Sequence, residues 1–196
     1  IAADQQKGGP SFQTFKTAII EGRLFAIVTA RGHEPRSIRT GVKYFIDRVL
    51  TEADKKEMLR NLRGYLACFE PNHGLDTDKQ VLEYYLNLNR YHPITSPQFK
   101  ALMGAPADGQ ETAKQFAIKD FVQHVIRIGR EKGISKPISV GFSDDDMANV
   151  RAVQEYIRRE LAREFPGVKF VVYDTSDPDG QAQHKIVVRG QLSLRL

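Results

Sequence analysis

The alternation of short apolar runs with stretches of helical periodicity is the feature that most constrains this fold. Five runs read as strands, namely 24–30 (LFAIVTA), 64–70 (GYLACFE), 137–142 (PISVGF), 168–174 (VKFVVYD) and 185–188 (KIVV). Runs without regular polar alternation are typical of parallel strands that are buried on both faces. The pattern therefore predicts an α/β protein with a mostly parallel sheet that helices cover.

The segments between these runs place apolar residues at helical spacing. They cover residues 11–21, 34–50, 51–62, 113–133 and 147–161. Thr51 is a candidate N-cap, because its hydroxyl can accept a hydrogen bond from the first turn of the helix that follows. Strands that alternate with helices in this way predict a three-layer Rossmann-like sandwich.

Residues 71–112 depart from this regular pattern. They carry four of the nine prolines, with scattered glycines and weak periodicity. We expect a small insertion or irregular cap segment there, with one short helix near Lys79 to Leu86. The length of 196 residues otherwise suits a single domain that spans residues 1–196.

The net charge of +5 is modest and is spread along the chain. Its densest basic clusters, Arg127 to Lys136 and Arg151 to Arg163, lie on helices that we expect to be amphipathic. A solvated helix face accounts for both clusters. The charge therefore leaves a nucleic-acid partner open without indicating one.

Cysteine usage and hydropathy suggest a cellular location. Cys68 is the only cysteine, which excludes an intrachain disulfide and fits a reducing, cytoplasmic location. We expect Cys68 to fill core space, because it lies in an apolar run. No apolar run approaches the ~20 residues of a membrane-spanning helix, which argues against a membrane partner.

The chain starts at Ile1 and has no methionine before Met58, so we expect a piece of a longer polypeptide.

Two stretches stand where a parallel sheet usually binds ligands, beyond the carboxyl ends of its strands. The first is Thr29-Ala30-Arg31-Gly32-His33, which follows LFAIVTA. The second is Ser143-Asp144-Asp145-Asp146, which follows PISVGF. Both stretches carry side chains that can bind phosphate or a metal ion.

Three consecutive carboxylates are more than helix capping needs. Ser143 or Asp144 can cap the next helix, and the helix dipole favours acids in its first turn. Capping alone does not account for a third acid. Mg²⁺ takes oxygen ligands, typically one or two carboxylates with waters and substrate phosphate. The acidic cluster therefore predicts a Mg²⁺ site that also caps a helix.

The stretch after LFAIVTA has the elements of a phosphate site. The Thr29 hydroxyl and the backbone of a glycine-containing turn can donate hydrogen bonds to a phosphate oxygen. Arg31 can add positive charge. In the alternative interpretation, Thr29 only ends the strand and Gly32 only makes the turn. Taken by itself, the stretch favours that alternative.

The two stretches together, "IVTARG" followed by "VGFSDDD", resemble the haloacid dehalogenase (HAD)-like phosphatase superfamily. Its members carry a hydroxyl residue of the "TxR" type at the end of one strand and an acidic cluster at the end of another. A lysine lies upstream of that cluster. Lys119 stands 25 positions before Asp144, and Lys114 and Lys136 are competitors for the same role.

The resemblance implies a Mg²⁺-dependent phosphohydrolase that works through an aspartyl-phosphate. Asp144 and Asp145 would hold the metal, and Asp146 could replace either of them. Thr29 would hydrogen-bond the transferring phosphoryl group, and Lys119 would offset its charge. With Thr29, Arg31 and Gly32 would bind the substrate. That substrate is expected to be a phosphorylated small molecule or macromolecule.

The nucleophile motif of the family, DxDxT/V after an apolar strand, does not occur in this chain. On the resemblance, we expect the nucleophile upstream of residue 1. An alternative is a non-catalytic HAD-derived domain that binds a phosphorylated ligand or a protein partner. A third reading, a basic nucleic-acid-binding module, predicts binding that weakens steeply with salt.

Overall fold

The structure is a computed structural model that describes residues 10–31, 34–69, 74–104, 109–176 and 184–189. The helices are α1 (Pro10–Ile20), α2 (Pro35–Arg48), α3 (Glu52–Phe69), α4 (Asp78–Leu88), α5 (Pro97–Met103), α6 (Gln110–Glu131), α7 (Met147–Tyr156) and α8 (Ala162–Glu164), with a π-helical turn at Ile157–Leu161 between the last two. The strands are β1 (Ala26–Thr29), β2 (Arg90–Pro93), β3 (Ile138–Asp144), β4 (Val168–Asp174) and β5 (His184–Arg189). This mixed α/β content confirms the predicted fold class at that level.

The chain divides into two compact units, and each is described by itself. The first unit holds residues 14–117 and therefore β1, β2 and helices α2 to α5. The second unit holds residues 118–196 together with the start of α1 up to Gln13. The described strands form one sheet in each unit, so the structure does not confirm the predicted three-layer Rossmann-like sandwich. The single domain over residues 1–196 likewise stays a prediction.

The first unit is built around a short parallel pair, β1 and β2. Their register runs from Ala26 opposite Arg90 to Thr29 opposite Pro93. The core beside them is formed by buried apolar side chains of four helices and of the residue before β1, among them Ile19, Phe25, Val42, Ile46, Met58, Leu62, Val81, Tyr85 and Leu86. Burial of this apolar surface is the main term that holds the unit together.

Asn89 fixes the end of α4 to the start of β1. The Phe25 backbone N–H donates to Asn89 Oδ1 at 2.8 Å, and Asn89 Nδ2 donates to the Tyr85 carbonyl at 2.8 Å. Asn89 is only 3% exposed. Because water has little access to these polar groups in the folded chain, the two hydrogen bonds supply the partners that water would otherwise provide.

Local signals set the helix boundaries of the first unit as the sequence predicts. The Asp54 N–H donates to Thr51 Oγ1 at 3.1 Å, and the Thr51 N–H donates to Asp54 Oδ2 at 3.0 Å. This reciprocal pair confirms the predicted N-cap. Helix α1 ends before Gly22, whose φ is +66°. A Cβ on Gly22 would lie 2.8 Å from Leu62 Cδ2, so glycine is required there for space as well as for conformation.

The second unit has the strand order β3-β4-β5. Strands β3 and β4 are parallel over their full length, from Ile138 opposite Val168 to Asp144 opposite Asp174. Strand β5 is antiparallel to β4. Helices α6 and α7 and the π-helical turn cover one face with apolar side chains that include Val122, Val150, Val153, Ile157 and Leu161. Strands β3, β4 and β5 and the amphipathic helices were predicted and are confirmed.

The prediction of a strand at 64–70 is wrong. Helix α3 continues to Phe69, because Met58, Leu62 and Leu66 keep a spacing of four and pack on the core of the first unit. Cys68 lies on the opposite side of this helix and is exposed. The expectation that Cys68 fills core space is therefore wrong as well.

In residues 71–112, the short helix expected near Lys79 to Leu86 is confirmed as α4. The described part of this stretch also contains β2 and α5, and Val81, Tyr85 and Leu86 belong to the core of the first unit. The stretch is thus more regular than its prolines indicate, and its role as an insertion or cap segment stays a prediction. Pro93 ends β2 and Pro97 opens α5, two positions where proline costs no backbone hydrogen bond.

The hydropathy of the helices agrees with the absence of long apolar runs in the sequence. No helix in the described ranges has the length and apolar character that crossing a bilayer requires. The cytoplasmic location stays a prediction.

Candidate functional site

The strands β3 and β4 end side by side in acidic residues. Asp144 is the register partner of Asp174, and the Thr175 N–H donates to the Asp144 carbonyl at 3.1 Å. Side chains at matched positions of parallel neighbours project from the same face, from backbones ~5 Å apart. Two carboxylates are thus placed together at the carboxyl ends of two parallel strands, where α/β proteins commonly bind ligands.

Hydroxyl groups adjoin the acids at this edge of the sheet. Ser11 Oγ, in the first turn of α1, lies 3.1 Å from Thr175 Oγ1 and 3.5 Å from Ser143 Oγ. Thr175 is only 4% exposed. The strand-end cluster, as we call it below, consists of Ser11, Ser143, Asp144, Asn149, Asp174 and Thr175. All its members belong to the second unit.

The three consecutive acids do different things. Asp146 is the N-cap of α7, since its Oδ1 accepts a hydrogen bond from the Ala148 N–H at 2.8 Å. Asp144 Oδ1 accepts from the Asp146 N–H at 3.0 Å and from Asn149 Nδ2 at 3.2 Å. Asp145 is exposed between them. The prediction that Ser143 or Asp144 caps this helix is wrong, because β3 continues through both residues.

The acids at the strand ends match the small number of carboxylate ligands that Mg²⁺ usually takes from a protein. Within the described ranges, no group of three or more His, Cys, Asp or Glu side chains is arranged to hold a metal ion. Mg²⁺, however, is usually bound through one or two carboxylates, with waters and phosphate oxygens completing the octahedron. Asp144 and Asp174 have the ligand type that such a site uses. The Mg²⁺ site at Asp144 and Asp145 stays a prediction.

Asp174 is fixed in the same way as Asp144, by short-range donors. Its Oδ1 accepts from the Ser176 N–H at 3.0 Å and from Ser176 Oγ at 2.7 Å. Hydrogen bonds to a carboxylate oxygen orient the group. Both carboxylates are thereby held in defined orientations at the edge of the sheet.

Lys119 is engaged in a salt bridge on the surface of the second unit. Its Nζ lies 2.7 Å from Glu164 Oε2, and both side chains are about 40% exposed. Glu164 precedes β4 by four residues, whereas Asp174 ends that strand, ~20 Å of extended chain further on. The salt bridge thus directs Lys119 toward the beginning of β4, and its proposed role beside the acids stays a prediction. Lys136, a competitor, is exposed in the loop before β3.

The residues after β1 form a turn, as both interpretations of this stretch require. Thr29 Oγ1 accepts a hydrogen bond from the Arg31 N–H at 3.2 Å, and Thr95 Oγ1 donates to the Ala30 carbonyl at 3.0 Å. Arg31 is exposed. Gly32, the third predicted phosphate-binding residue, lies outside the described residues. Thr29 and Arg31 belong to the first unit, whereas Lys119, Asp144 and Asp145 belong to the second.

Four residues of the strand-end cluster were not predicted from the sequence, namely Asp174, Thr175, Asn149 and Ser11. A signal for the first two was present, because "YDTSDPDGQ" also follows an apolar strand. A stretch this rich in aspartate, proline and glycine more commonly forms only a loop. The same rule that selected Asp144 would have selected Asp174 once β3 and β4 were taken as parallel neighbours.

No known protein family has a model that matches this chain, and neither the curated proteins nor the solved structures include one significantly similar to it. The resemblance to the HAD-like superfamily therefore stays a prediction that rests on the two short motifs.

Proposed function

We propose that this chain forms most of a Mg²⁺-dependent phosphohydrolase of the HAD-like type. It would act on a phosphorylated small molecule or macromolecule in the cytoplasm. The nucleophilic aspartate would be supplied by polypeptide upstream of residue 1. The observation that carries the proposal is the placement of Asp144 and Asp174 at the carboxyl ends of neighbouring parallel strands.

The cluster offers the ligands that such chemistry uses. A bound Mg²⁺ would supply positive charge against the oxygens of a phosphoryl group. Asp144 would hold it, together with Asp145 or Asp174. The Asp146 N–H and Asn149 Nδ2 orient Asp144 by donating to its Oδ1, which fixes the ligand geometry before the metal arrives. Hydroxyls of the cluster can donate to phosphate oxygens.

The roles proposed for Thr29, Arg31, Gly32 and Lys119 rest on the family resemblance alone. Thr29 already accepts a hydrogen bond from the Arg31 N–H, so its own O–H remains able to donate to a phosphoryl oxygen. Arg31 and Gly32 would bind the same group. Lys119 would offset negative charge there, which requires it to exchange its salt bridge with Glu164 for a contact with the substrate.

An alternative is a HAD-derived domain that binds a phosphorylated ligand or a protein partner without turnover. Residues 1–196 contain no DxDxT/V motif after an apolar strand, and this favours the alternative. The same acids and hydroxyls would then serve binding alone. Phosphatase activity separates the two functions directly.

The test measures hydrolysis of a generic aryl phosphate by the polypeptide with its upstream sequence, with and without Mg²⁺. We expect Asp144→Asn to lower kcat by about 100-fold or more. Asp146→Asn is the matched control, because asparagine caps a helix as well as aspartate does and the substitution removes the same charge. Undiminished turnover in Asp144→Asn would contradict the proposed phosphohydrolase function. Mg²⁺-dependent phosphate binding without turnover would support the alternative.

A further inference from the structure

The loop between α6 and β3 combines positive charge with an exposed apolar side chain. Among the described residues, five large apolar side chains are exposed, and Ile134, at 37%, is the one that lies in a loop. Lys132 precedes it by two residues, Lys136 follows it by two, and Arg130 is exposed in the last turn of α6. We call Arg130, Lys132, Ile134 and Lys136 the basic loop.

The end of α6 holds this loop in a defined conformation. The Gly133 N–H donates to the Arg130 carbonyl at 3.1 Å, and the Ile134 N–H donates to the Gly129 carbonyl at 2.8 Å. With a φ of +64° at Gly133, these two bonds form the left-handed cap that commonly ends a helix. An apolar residue in the place of Ile134 often packs on the side chain at position 129. Because residue 129 is glycine, that position offers Ile134 no side chain to pack on.

The charge around the loop is mostly positive. Residues 127–137 contain four basic residues and one acid, Glu131, whose Oε1 lies 3.1 Å from Arg127 Nη1. The loop that precedes the neighbouring strand β4, Phe165-Pro166-Gly167, is uncharged. Asp144 ends β3 at the opposite edge of the sheet, ~20 Å away. That distance exceeds the screening length of ~8 Å at physiological salt, so the strand-end acids hardly repel an anion at the loop.

Helix capping explains only part of this composition. Arg130 and Lys132 stand at the carboxyl end of α6, where the helix dipole favours positive charge. It does not explain Lys136 or Ile134. An aliphatic side chain exposed between cations suits a lipid surface, because the cations contact anionic headgroups while the apolar group enters the acyl boundary. A nucleic acid backbone would use the cations alone, since it offers Ile134 no apolar contact.

We propose that the basic loop docks this protein on an anionic lipid surface. Ile134 enters the boundary between headgroups and acyl chains, and Arg130, Lys132 and Lys136 contact headgroup phosphates. The expectation of no membrane partner rested on the lack of long apolar runs, and binding at the level of the headgroups needs none. The proposal stands on the loop alone and does not depend on the proposed chemistry at the strand ends.

The experiment measures how much of this chain sediments with vesicles of phosphatidylcholine that contain about 30 mol% phosphatidylserine. Vesicles of phosphatidylcholine alone are the reference. Ile134→Ser removes the apolar group at constant charge, and Ile134→Leu restores it. The double variant Arg130→Gln/Lys136→Gln lowers the charge of the loop by two. Its matched control is Arg36→Gln/Arg48→Gln, which removes the same charge from exposed positions of α2.

We expect the chain to bind the anionic vesicles and not the neutral ones. Ile134→Ser should lower the partition coefficient at least about threefold, and Ile134→Leu should keep it. The double variant of the loop should lower it at least about tenfold, and the double variant of α2 less than about twofold. All the substituted side chains are exposed, and circular dichroism checks that each variant keeps its fold.

Several results would overturn the proposal. One is a chain that binds neither kind of vesicle, or both equally. Equal losses in the two double variants would show an effect of net charge and not of the loop. Unchanged binding in Ile134→Ser would show that no apolar group enters the bilayer. A single-stranded oligonucleotide that displaces the chain from the vesicles, with binding that Ile134→Ser does not alter, would assign the loop to nucleic acid instead.

Discussion

Two groups of acids in this molecule are held in opposite ways. Glu83 in the first unit forms salt bridges with Arg39 and, at 2.7 Å, with Lys43. Asp144 and Asp174 in the second unit instead accept hydrogen bonds from backbone amides, an asparagine and a serine. A carboxylate between two cations has its charge balanced by the fold. The backbone amides, the asparagine and the serine orient Asp144 and Asp174 by hydrogen bonds.

If the proposed function holds, the comparison separates acids that stabilise the fold from acids that bind a metal ion. It also applies to the two asparagines, because Asn89 joins β1 to α4 inside the first unit and Asn149 orients Asp144. Paired substitutions can therefore test this distinction. They should divide into changes that lower the free energy of unfolding and changes that lower the affinity for Mg²⁺.

The largest expected effect on Mg²⁺ affinity concerns the second carboxylate of the proposed metal site. Asp174→Asn should weaken Mg²⁺ binding by about tenfold or more, because it removes one of two neighbouring charges. Asp145→Asn should change the affinity by about twofold or less. Isothermal titration calorimetry on both variants measures this. The reverse order would show that Asp145 is the ligand and that the register neighbour of Asp144 is not.

Asn89→Ala should lower the free energy of unfolding by about 2–3 kcal/mol. The substitution leaves the buried Phe25 N–H and the Tyr85 carbonyl without their partner, which costs more than the loss of an exposed hydrogen bond. Urea unfolding monitored by circular dichroism gives the value. Mg²⁺ affinity should stay unchanged, and a joint loss of affinity and stability would break the comparison.

Glu83→Gln should lower the free energy of unfolding by about 1 kcal/mol, a small value because the side chain is 34% exposed and partly screened. Hydrogen bonds from Lys43 and then Arg39 hold the pKa of Glu83 below its ordinary value. The contribution is therefore complete above the ordinary pKa of 4.5 and is lost as the pH falls through the lower folded-state pKa.

Unfolding measured between pH 7 and pH 3 tests this sign. The wild-type protein should lose more stability than Glu83→Gln over the acidic part of that range. Parallel pH dependence in the two proteins would show that the salt bridges of Glu83 contribute nothing measurable.

Asn149→Ala should have a small effect, a loss of Mg²⁺ affinity of about two- to fivefold. Asn149 donates to the proposed ligand Asp144 and is itself only partly buried. Asn149→Asp tests the same contact differently, because it replaces a donor with a third carboxylate. Isothermal titration calorimetry measures both affinities. An Asn149→Ala protein that binds Mg²⁺ as tightly as wild type would show that Asn149 contributes to helix α7 and not to metal binding.

The sequence predicted those elements whose signal is local. Strands β1, β3 and β4 are short apolar runs bounded by turn residues, and Thr51 and Gly22 mark helix ends by their own chemistry. It failed at 64–70, where an apolar run of strand length is the continuation of helix α3. Periodicity cannot separate the two cases in so short a run, and packing on the core decides.

Only part of the candidate site could be predicted from the sequence, for a related reason. Asp144 follows an apolar run and could be selected from the sequence, whereas its neighbour Asp174 is 30 positions away and is joined to it only by strand register. The role of Asp146 as N-cap was equally hidden, because it depends on β3 extending two residues beyond the apolar run. The pairing of Asp144 with Asp174 and the N-cap position of Asp146 both follow from how β3 pairs in the sheet, which joins residues that are far apart in the sequence.

A Mg²⁺ titration of residues 1–196, in the wild type and in Asp144→Asn, tests the central claim most directly. The claim is that the paired carboxylates at the ends of β3 and β4 form a metal site. It predicts one Mg²⁺ bound per chain in the wild type, and binding lost in Asp144→Asn while the thermal unfolding midpoint stays the same. Wild-type protein that binds no Mg²⁺, or Asp144→Asn protein that binds it equally well, would contradict the claim.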